Sequence, residues 1–293
     1  MSIKSKIKKT IFFKLYSFFT VKESIDSVLA NKYGATVFRV ILAECSRKIQ
    51  ALFFYNSKQK ISTAELNNNG FTLINNFFSI EQLENIKKSI TQDLLKIEHS
   101  HAQDGAQYIV KNIESFNIFN KSELSELKNK ILEVSQPYLG KINLSTLHIY
   151  FHAVRKANDK VDDNSDINLL MHSDTYHKTL KGFLYLEPLE LEDGPFEYIV
   201  SSNNLNINRL KREYQNSINQ EILKRDHGGW RFEKNYYNSV YNNKIFTGIC
   251  NSMIVADTFG LHRRNPRSKD GYRISIHFSL RKSPFTLFGN ITG

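Results

Sequence analysis

The run Arg273–Leu280 alternates strictly, with Arg273, Ser275 and His277 on one side and Ile274, Ile276 and Phe278 on the other. A period of two fits an extended strand with one face in an apolar core, and no helix. It also places an arginine on the polar side of a half-buried strand. Short strand-like runs of the same kind dominate the second half of the chain: Thr146–Val154, Lys181–Glu187, Phe196–Val200, Ile245–Ile249 and Met253–Asp257. The first half reads differently. Val28, Leu29, Val37, Phe38, Ile41, Leu42, Cys45, Ile49 and Leu52 form a broad apolar stripe at helical spacing, with Gly34 as the break. Ser79-Ile80-Glu81-Gln82 is a capping box that opens a helix predicted to reach Ile97. Further helices are predicted near Ser122–Val134 and Arg209–Lys224. Helices first and short strands afterwards predict an α+β fold.

The chemistry sits on the strand-rich half. His172 and Asp174 stand two apart in Met171-His172-Ser173-Asp174. On an extended segment, positions i and i+2 share a face, so an imidazole and a carboxylate are presented together. His262 comes 88 residues after Asp174 and follows the run Ser252–Thr258. Two histidines and one carboxylate, with the other positions open, form the ligand set of non-haem Fe(II) oxygenases. A double-sheet jelly roll would bring both segments to one barrel mouth, although strand periodicity alone does not separate it from another sandwich. Arg273 lies eleven residues after His262. A buried arginine needs an anionic partner, and its planar fork suits a carboxylate bidentately. Beside a metal, that carboxylate would be the far end of a dicarboxylic cosubstrate such as 2-oxoglutarate.

Taken in order, H-x-D, the distal histidine and the arginine beyond it resemble the phytanoyl-CoA dioxygenase-like branch of the Fe(II)/2-oxoglutarate-dependent oxygenases. Asp193-Gly194-Pro195-Phe196-Glu197-Tyr198 resembles that family's D-G-P turn, whose P-G-S-H sequel is only partly kept as Val200-Ser201-Ser202-Asn203. Asn69–Ile74 followed by Phe78–Leu83 resembles its N-terminal strand and helix. The resemblance runs from Ala64 to Leu287. It implies a double-stranded β-helix (jelly roll, cupin-like) with flanking helices and an N-terminal helical extension. It further implies that His172, Asp174 and His262 hold a catalytic Fe(II), that Arg273 fixes the distal carboxylate of 2-oxoglutarate, and that dioxygen takes the last position. The implied reaction hydroxylates a small-molecule, acyl or glycan-precursor substrate and decarboxylates 2-oxoglutarate to succinate. Asp174 stands where the related halogenases carry a small residue, which points to hydroxylation. The alternative is a catalytically inactive jelly-roll protein that binds a ligand or sugar at a membrane surface.

Other residues divide between site and scaffold. Tyr150 and His152 share one face of Thr146–Val154, and Lys181, Phe183 and Tyr185 alternate on the strand after H-x-D. Tyr150, His152 and Tyr185 are expected either to contact the cosubstrate or to fill the barrel. Arg263 and Arg264 either belong to a solvated charged loop or grip an anionic substrate group: a phosphate, a carboxylate, a nucleotide sugar or a thioester; Glu197, in the D-G-P segment, is a further pocket or lid candidate on the substrate side. His277 reads as a core histidine and His177 as a pocket neighbour. Arg281 is the rival anchor to Arg273. Trp230 and Arg231 are lid candidates, and His99-Ser100-His101 reads as a polar loop.

The formal charge of +11 is uneven, because residues 1–62 hold ten Lys and two Arg against Glu23, Asp26 and Glu44, a balance of +9. The strand-rich region is therefore near neutral, and no nucleic-acid partner is expected. This divides the chain into a basic helical extension (1–62) and a jelly-roll oxygenase domain (63–293), with the polar stretch Asn56–Ser62 as linker. Ile3, Ile7, Ile11, Leu15, Phe18 and Phe19 recur at helical spacing among five lysines in residues 1–20. Such a basic amphipathic helix lies on an anionic membrane surface or packs on the domain or a partner. Lys14 interrupts its apolar run and no small-residue cleavage site follows, so a signal peptide is disfavoured. Cys45 and Cys250 make no disulfide framework. They are expected to be buried as small hydrophobes in a reducing compartment. The expected location is cytoplasmic, with peripheral contact at the inner membrane surface.

Overall fold

A computed structural model describes residues 18–19, 25, 27–54, 58, 60–94, 102–103, 106–115, 119–155, 167–219, 231 and 242–285. Helices α1 (Val28–Lys32), α2 (Ala35–Leu52) and α3 (Lys60–Asn68) come first. Strand β1 (Phe71–Ile74) leads to helix α4 (Ile80–Leu94), strands β2 (Ala102–Gln103) and β3 (Ala106–Asn112), helix α5 (Lys121–Leu139) and strand β4 (Leu147–Arg155). Strands β5 (Leu180–Tyr185) and β6 (Phe196–Ile199) precede helix α6 (Ile207–Ile218). Strands β7 (Asn243–Ile245), β8 (Met253–Asp257), β9 (His262–Arg264) and β10 (Tyr272–Leu280) follow.

The strands form two antiparallel sheets, one in the order β1-β8-β5-β10-β4-β3-β2 and a smaller one in the order β7-β6-β9. A bridge between His172 and His262 adds the H-x-D segment to the edge of the smaller sheet. The pairing is nested. β4 pairs with β10, the His172 segment with β9, β5 with β8, and β6 with β7. A long hairpin rolled so that successive segments alternate between two sheets gives this order, and it defines a double-stranded β-helix. The α+β jelly roll expected from the sequence is therefore the architecture of the described residues.

Alternation along each strand divides the core in two. Met253 and Val255 of β8, with Ile276, Phe278 and Leu280 of β10, face the helices and meet Ile86, Ile90, Leu127 and Ile131. Ile254 and Ala256 point the other way, between the sheets, to Tyr185, Phe196 and Tyr198. The Arg273–His277 alternation is thus realised, with the apolar set under the helices and the polar set inside the barrel.

Several local expectations hold and several shift. Gly34, at φ +83°, separates α1 from α2. The Ser79–Gln82 capping box forms in both directions, at 3.1 and 3.0 Å. The described part of α4 ends at Leu94; residues 95–100 lie outside the described residues. Helix α5 outlasts Val134 and takes in Pro137, because Tyr138 and Leu139 bury their side chains. Strand pairing at β7 stops at Ile245 rather than Ile249, since Gly248 (φ +70°) turns the chain. The polar linker expected to reach Ser62 is already helical at Lys60, where α3 begins and carries Leu66 into the core.

Helix α2 inverts its expected amphipathicity. Its buried residues are Thr36, Arg39, Val40, Ala43, Arg47 and Gln50, whereas Phe38, Ile41, Ile49 and Leu52 are exposed. Burial is possible because the arginines find partners. Arg47 donates from Nε and Nη2 to Glu44 at 2.8 Å and also to the Tyr138 carbonyl. Arg39 lies 3.5 Å over the Tyr176 ring. Cys45 sits on the outward side and is exposed, contrary to the expected burial, and Cys250 is only partly buried.

Candidate metal centre

The nested pairing brings the H-x-D segment beside β9, and the two histidines lock together through the main chain. The His172 amide donates to the His262 carbonyl and the His262 amide to the His172 carbonyl, both at 3.0 Å. The Asp174 amide donates to Thr258 O at 2.9 Å. The His172 Nε2 and His262 Nε2 atoms each lie 3.7 Å from Asp174 Oδ1. One donor atom from each of the three residues falls within 4.8 Å of the others.

The chemistry of this donor set fits a divalent transition metal. His172 Nδ1 lies 2.8 Å from Leu170 O, and His262 Nδ1 lies 3.0 Å from Gly260 O. A carbonyl only accepts, so both Nδ1 atoms carry the proton and both Nε2 lone pairs face Asp174. Burial is the main cause that lowers both imidazoles, His172 to about 3, which keeps them neutral. Burial alone would raise Asp174, but the Lys181 ammonium beside it outweighs that and holds the carboxylate below its usual range. Neutral imidazoles and a charged carboxylate are the protonation states a metal requires. Octahedral ligands at about 2.1 Å from an ion stand about 3 Å apart, so each of the two 3.7 Å histidine–Asp174 distances needs to shorten by less than about 1 Å.

Lys181 is the neighbour that spacing underplayed. Its Nζ lies 2.7 Å from Asp174 Oδ2. It points into the barrel with Phe183 and Tyr185, as the alternation of β5 requires. Across the barrel, His152 and His277 stack with ring centroids 4.5 Å apart, and His277 Nε2 lies 2.9 Å from Ser275 Oγ. The Tyr150 ring is 5.5 Å from His277, and Phe183 stacks on Phe196, whose ring lies 5.7 Å from His262. Arg273 is buried, donates to Gly194 O in the D-G-P turn, and lies 5.5 Å over the Tyr185 ring. Burial first, then Arg273, Arg264 and Lys181, push His152 down to about 3. Three cations therefore act on one point of the barrel interior, an environment that favours an anionic ligand.

The remaining sequence candidates separate. Arg264 shares the His262 side of β9. Arg263 and Glu197 occupy the opposite face, where they form a cross-strand ion pair at 2.7 Å, and Asn243 donates to the same carboxylate at 2.8 Å. They neutralise each other and turn away from the triad, because neighbouring strand residues point to opposite faces. His177 is buried beside Tyr176. Arg281 follows the end of β10 and is exposed. Arg231 pairs with His172 through an isolated bridge. The His99-Ser100-His101 loop, His227 and Trp230 lie outside the described residues, as do all of residues 1–20 except Phe18 and Phe19.

A second polar cluster supports the loop after Asp174. Tyr138 donates from its hydroxyl to Asp257 Oδ2 at 2.7 Å and accepts from Lys178 Nζ at 3.1 Å and Asn203 Nδ2 at 3.3 Å. Lys178 Nζ also lies 3.8 Å from Asp257 Oδ2 and 3.9 Å from Glu44 Oε1. Nothing in the spacing of Asp257, Lys178 and Tyr138 announces this cluster, since each comes from a different element.

No family model matches the chain. Among solved structures it is similar to the epimerase SnoN in complex with Fe3+, alpha ketoglutarate and nogalamycin RO, at 10% identity over 76% of this chain and 83% of that one, with a TM-score of 0.49. HygX from Streptomyces hygroscopicus with nickel and 2-oxoglutarate bound is similar at 14% identity over 75% and 85%, with a TM-score of 0.48. A Pseudomonas putida prolyl-4-hydroxylase is similar at 10% identity over 76% and 98%, with a TM-score of 0.43. These likenesses are remote, and the strand order and the donor triad stand independently of them.

Proposed function

We propose that the chain is a non-haem Fe(II)/2-oxoglutarate-dependent oxygenase of the phytanoyl-CoA dioxygenase-like type, acting on a small-molecule substrate. One observation carries this reading: His172, Asp174 and His262 converge on one face of a double-stranded β-helix, in the protonation states a metal needs. His172 Nε2, Asp174 and His262 Nε2 would hold the Fe(II). With 2-oxoglutarate and dioxygen bound there, the metal would supply oxidising chemistry for an unactivated C–H bond, with 2-oxoglutarate decarboxylated to succinate and carbon dioxide, one oxygen atom going to succinate and the other to the substrate.

The protein's own part is orientation, charge and dryness. Arg273 would bind the distal carboxylate of 2-oxoglutarate, with the Tyr185 ring beneath the guanidinium. Lys181 neutralises Asp174 and supplies a second cation at the same place. Tyr150 and His152 would line the cosubstrate, with His277 behind them. Phe183 and Phe196 keep water from the His262 side. Arg264, on the His262 face of β9, would meet an anionic group on the substrate. The oxygenase unit would comprise residues 63–293, with residues 1–62 as its extension.

Anaerobic addition of Fe(II) and 2-oxoglutarate tests the reading. The expected result is the weak visible charge-transfer band of a metal-chelated 2-oxo acid, abolished by His172→Ala or Asp174→Ala. Absence of both the band and uncoupled succinate formation in the wild type would overturn it.

A further inference from the structure

Helix α2 carries its apolar residues outward. Phe38, Ile49, Leu52 and Phe53 are 58%, 53%, 78% and 80% exposed, and Ile41 and Cys45 lie between them. Positions 38, 41, 45, 49 and 52 form one continuous helix face. An open groove between α2 and α6, lined by Val37, Phe38, Ile41, Leu210 and Tyr214, continues the patch sideways. A contiguous apolar patch of this kind marks a contact surface.

The charges around the patch select the partner. The acids of α1, α2 and α6 are Glu44 and Glu213. Both are withdrawn into ion pairs, Glu44 with Arg47 at 2.8 Å and Glu213 with Arg209 at 2.7 Å. Lys32, Lys48 and Lys211 on the same helices are exposed. Residues 1–22 add six lysines and no acid. Phe18 lies 5.9 Å from the Arg39 guanidinium of α2. A face that is apolar and cationic, with its carboxylates buried, complements an anionic phospholipid surface. Two copies facing each other would instead oppose their lysines.

We propose that α1, α2 and α6 form a membrane-interface face. Phe38, Ile41, Ile49, Leu52 and Phe53 enter the boundary between headgroups and acyl chains, and Lys32, Lys48 and Lys211 meet the lipid phosphates. The inner side of α2 rests on the loop after Asp174, with Arg39 3.5 Å over Tyr176. The face therefore lies about one helix diameter, ~10 Å, from the segment that carries the carboxylate of the triad.

Flotation of the full chain with vesicles tests this. Vesicles of phosphatidylcholine with phosphatidylglycerol should bind it at least about tenfold better than phosphatidylcholine alone. The triple variant Phe38→Gln/Ile49→Gln/Leu52→Gln should bind the anionic vesicles at least about tenfold more weakly, with unchanged circular dichroism and Tm. Wild-type binding by that variant overturns the proposal. So does loss of binding when Lys4, Lys6, Lys8 and Lys9 are changed to Gln while the triple variant binds normally, because the contact then belongs to the N-terminal segment alone. A lipid-free dimer that the triple variant dissociates assigns the face to a second copy and also overturns it.

Discussion

Tyr138→Phe isolates the cluster that supports the metal-side loop. Tyr138 is fully buried, and phenylalanine keeps its ring while deleting three hydrogen bonds. Two of them, to Asp257 and from Lys178, involve a charged partner, and such bonds contribute about 1.5–3 kcal/mol each. Lys178 Nζ and Asp257 Oδ2 are already 3.8 Å apart, so they can close on each other and recover part of the loss. The expected net cost is about 2–4 kcal/mol. For a chain of this size that lowers Tm by roughly 6–12 °C. Urea unfolding followed by far-UV circular dichroism measures it, with an unchanged m-value. Acidification adds a second readout. Burial already raises the Asp257 pKa, and losing the Tyr138 donor raises it further. A carboxylate with a raised folded-state pKa destabilises the fold when charged, and the penalty fades as pH falls through that pKa. The variant's deficit should therefore narrow on acidification. A cost below about 1 kcal/mol at neutral pH, or a deficit that widens in acid, would refute the reasoning.

Two other substitutions probe separate parts of the structure. Burial pushes Lys282 down to about 8, and its ammonium donates to Gln50 Oε1 and Leu139 O. The penalty for burying that charge is fully present below pH 8 and disappears as pH rises toward the unfolded value of about 10.4. Wild type should therefore gain stability relative to Lys282→Met across that interval; a Tm difference that stays flat with pH contradicts it. Glu197→Gln removes the charge that pairs with Arg263 on the far face of β9. It should lower Tm yet leave the Fe(II)/2-oxoglutarate band and its titration within about twofold of wild type. A large loss of cosubstrate affinity would show that this pair acts on the site.

Local chemistry was the most readable part of the sequence. His172 and Asp174 share a face because extended residues two apart always do, and the Arg273–Phe278 alternation stated both faces of β10. The nested strand order was not readable, because short runs carry no register. Periodicity also fails to say which side of a helix turns inward. Helix α2 shows this: its apolar stripe looked like the core face, yet Arg39 and Arg47 are the buried residues. Their partners Tyr176 and Tyr138 lie far away in sequence. By position alone Arg263 reads as a substrate grip and Glu197 as a pocket residue, because each stands beside a marked residue. The register Glu197↔Arg263 and Tyr198↔His262 puts them on the other side of the sheet.

Each imidazole of the triad is steered by a carbonyl two residues before it, Leu170 O for His172 and Gly260 O for His262. Every residue type brings a carbonyl, so no particular side chain has to be preserved to aim these rings. The walls of the pocket are side chains, and the aim of the ligands is main chain. Substitutions that reshape what the site accepts can therefore accumulate without turning the metal ligands. In this barrel, the side chains of the walls are free to drift while the aim of the two imidazoles is inherited with the backbone.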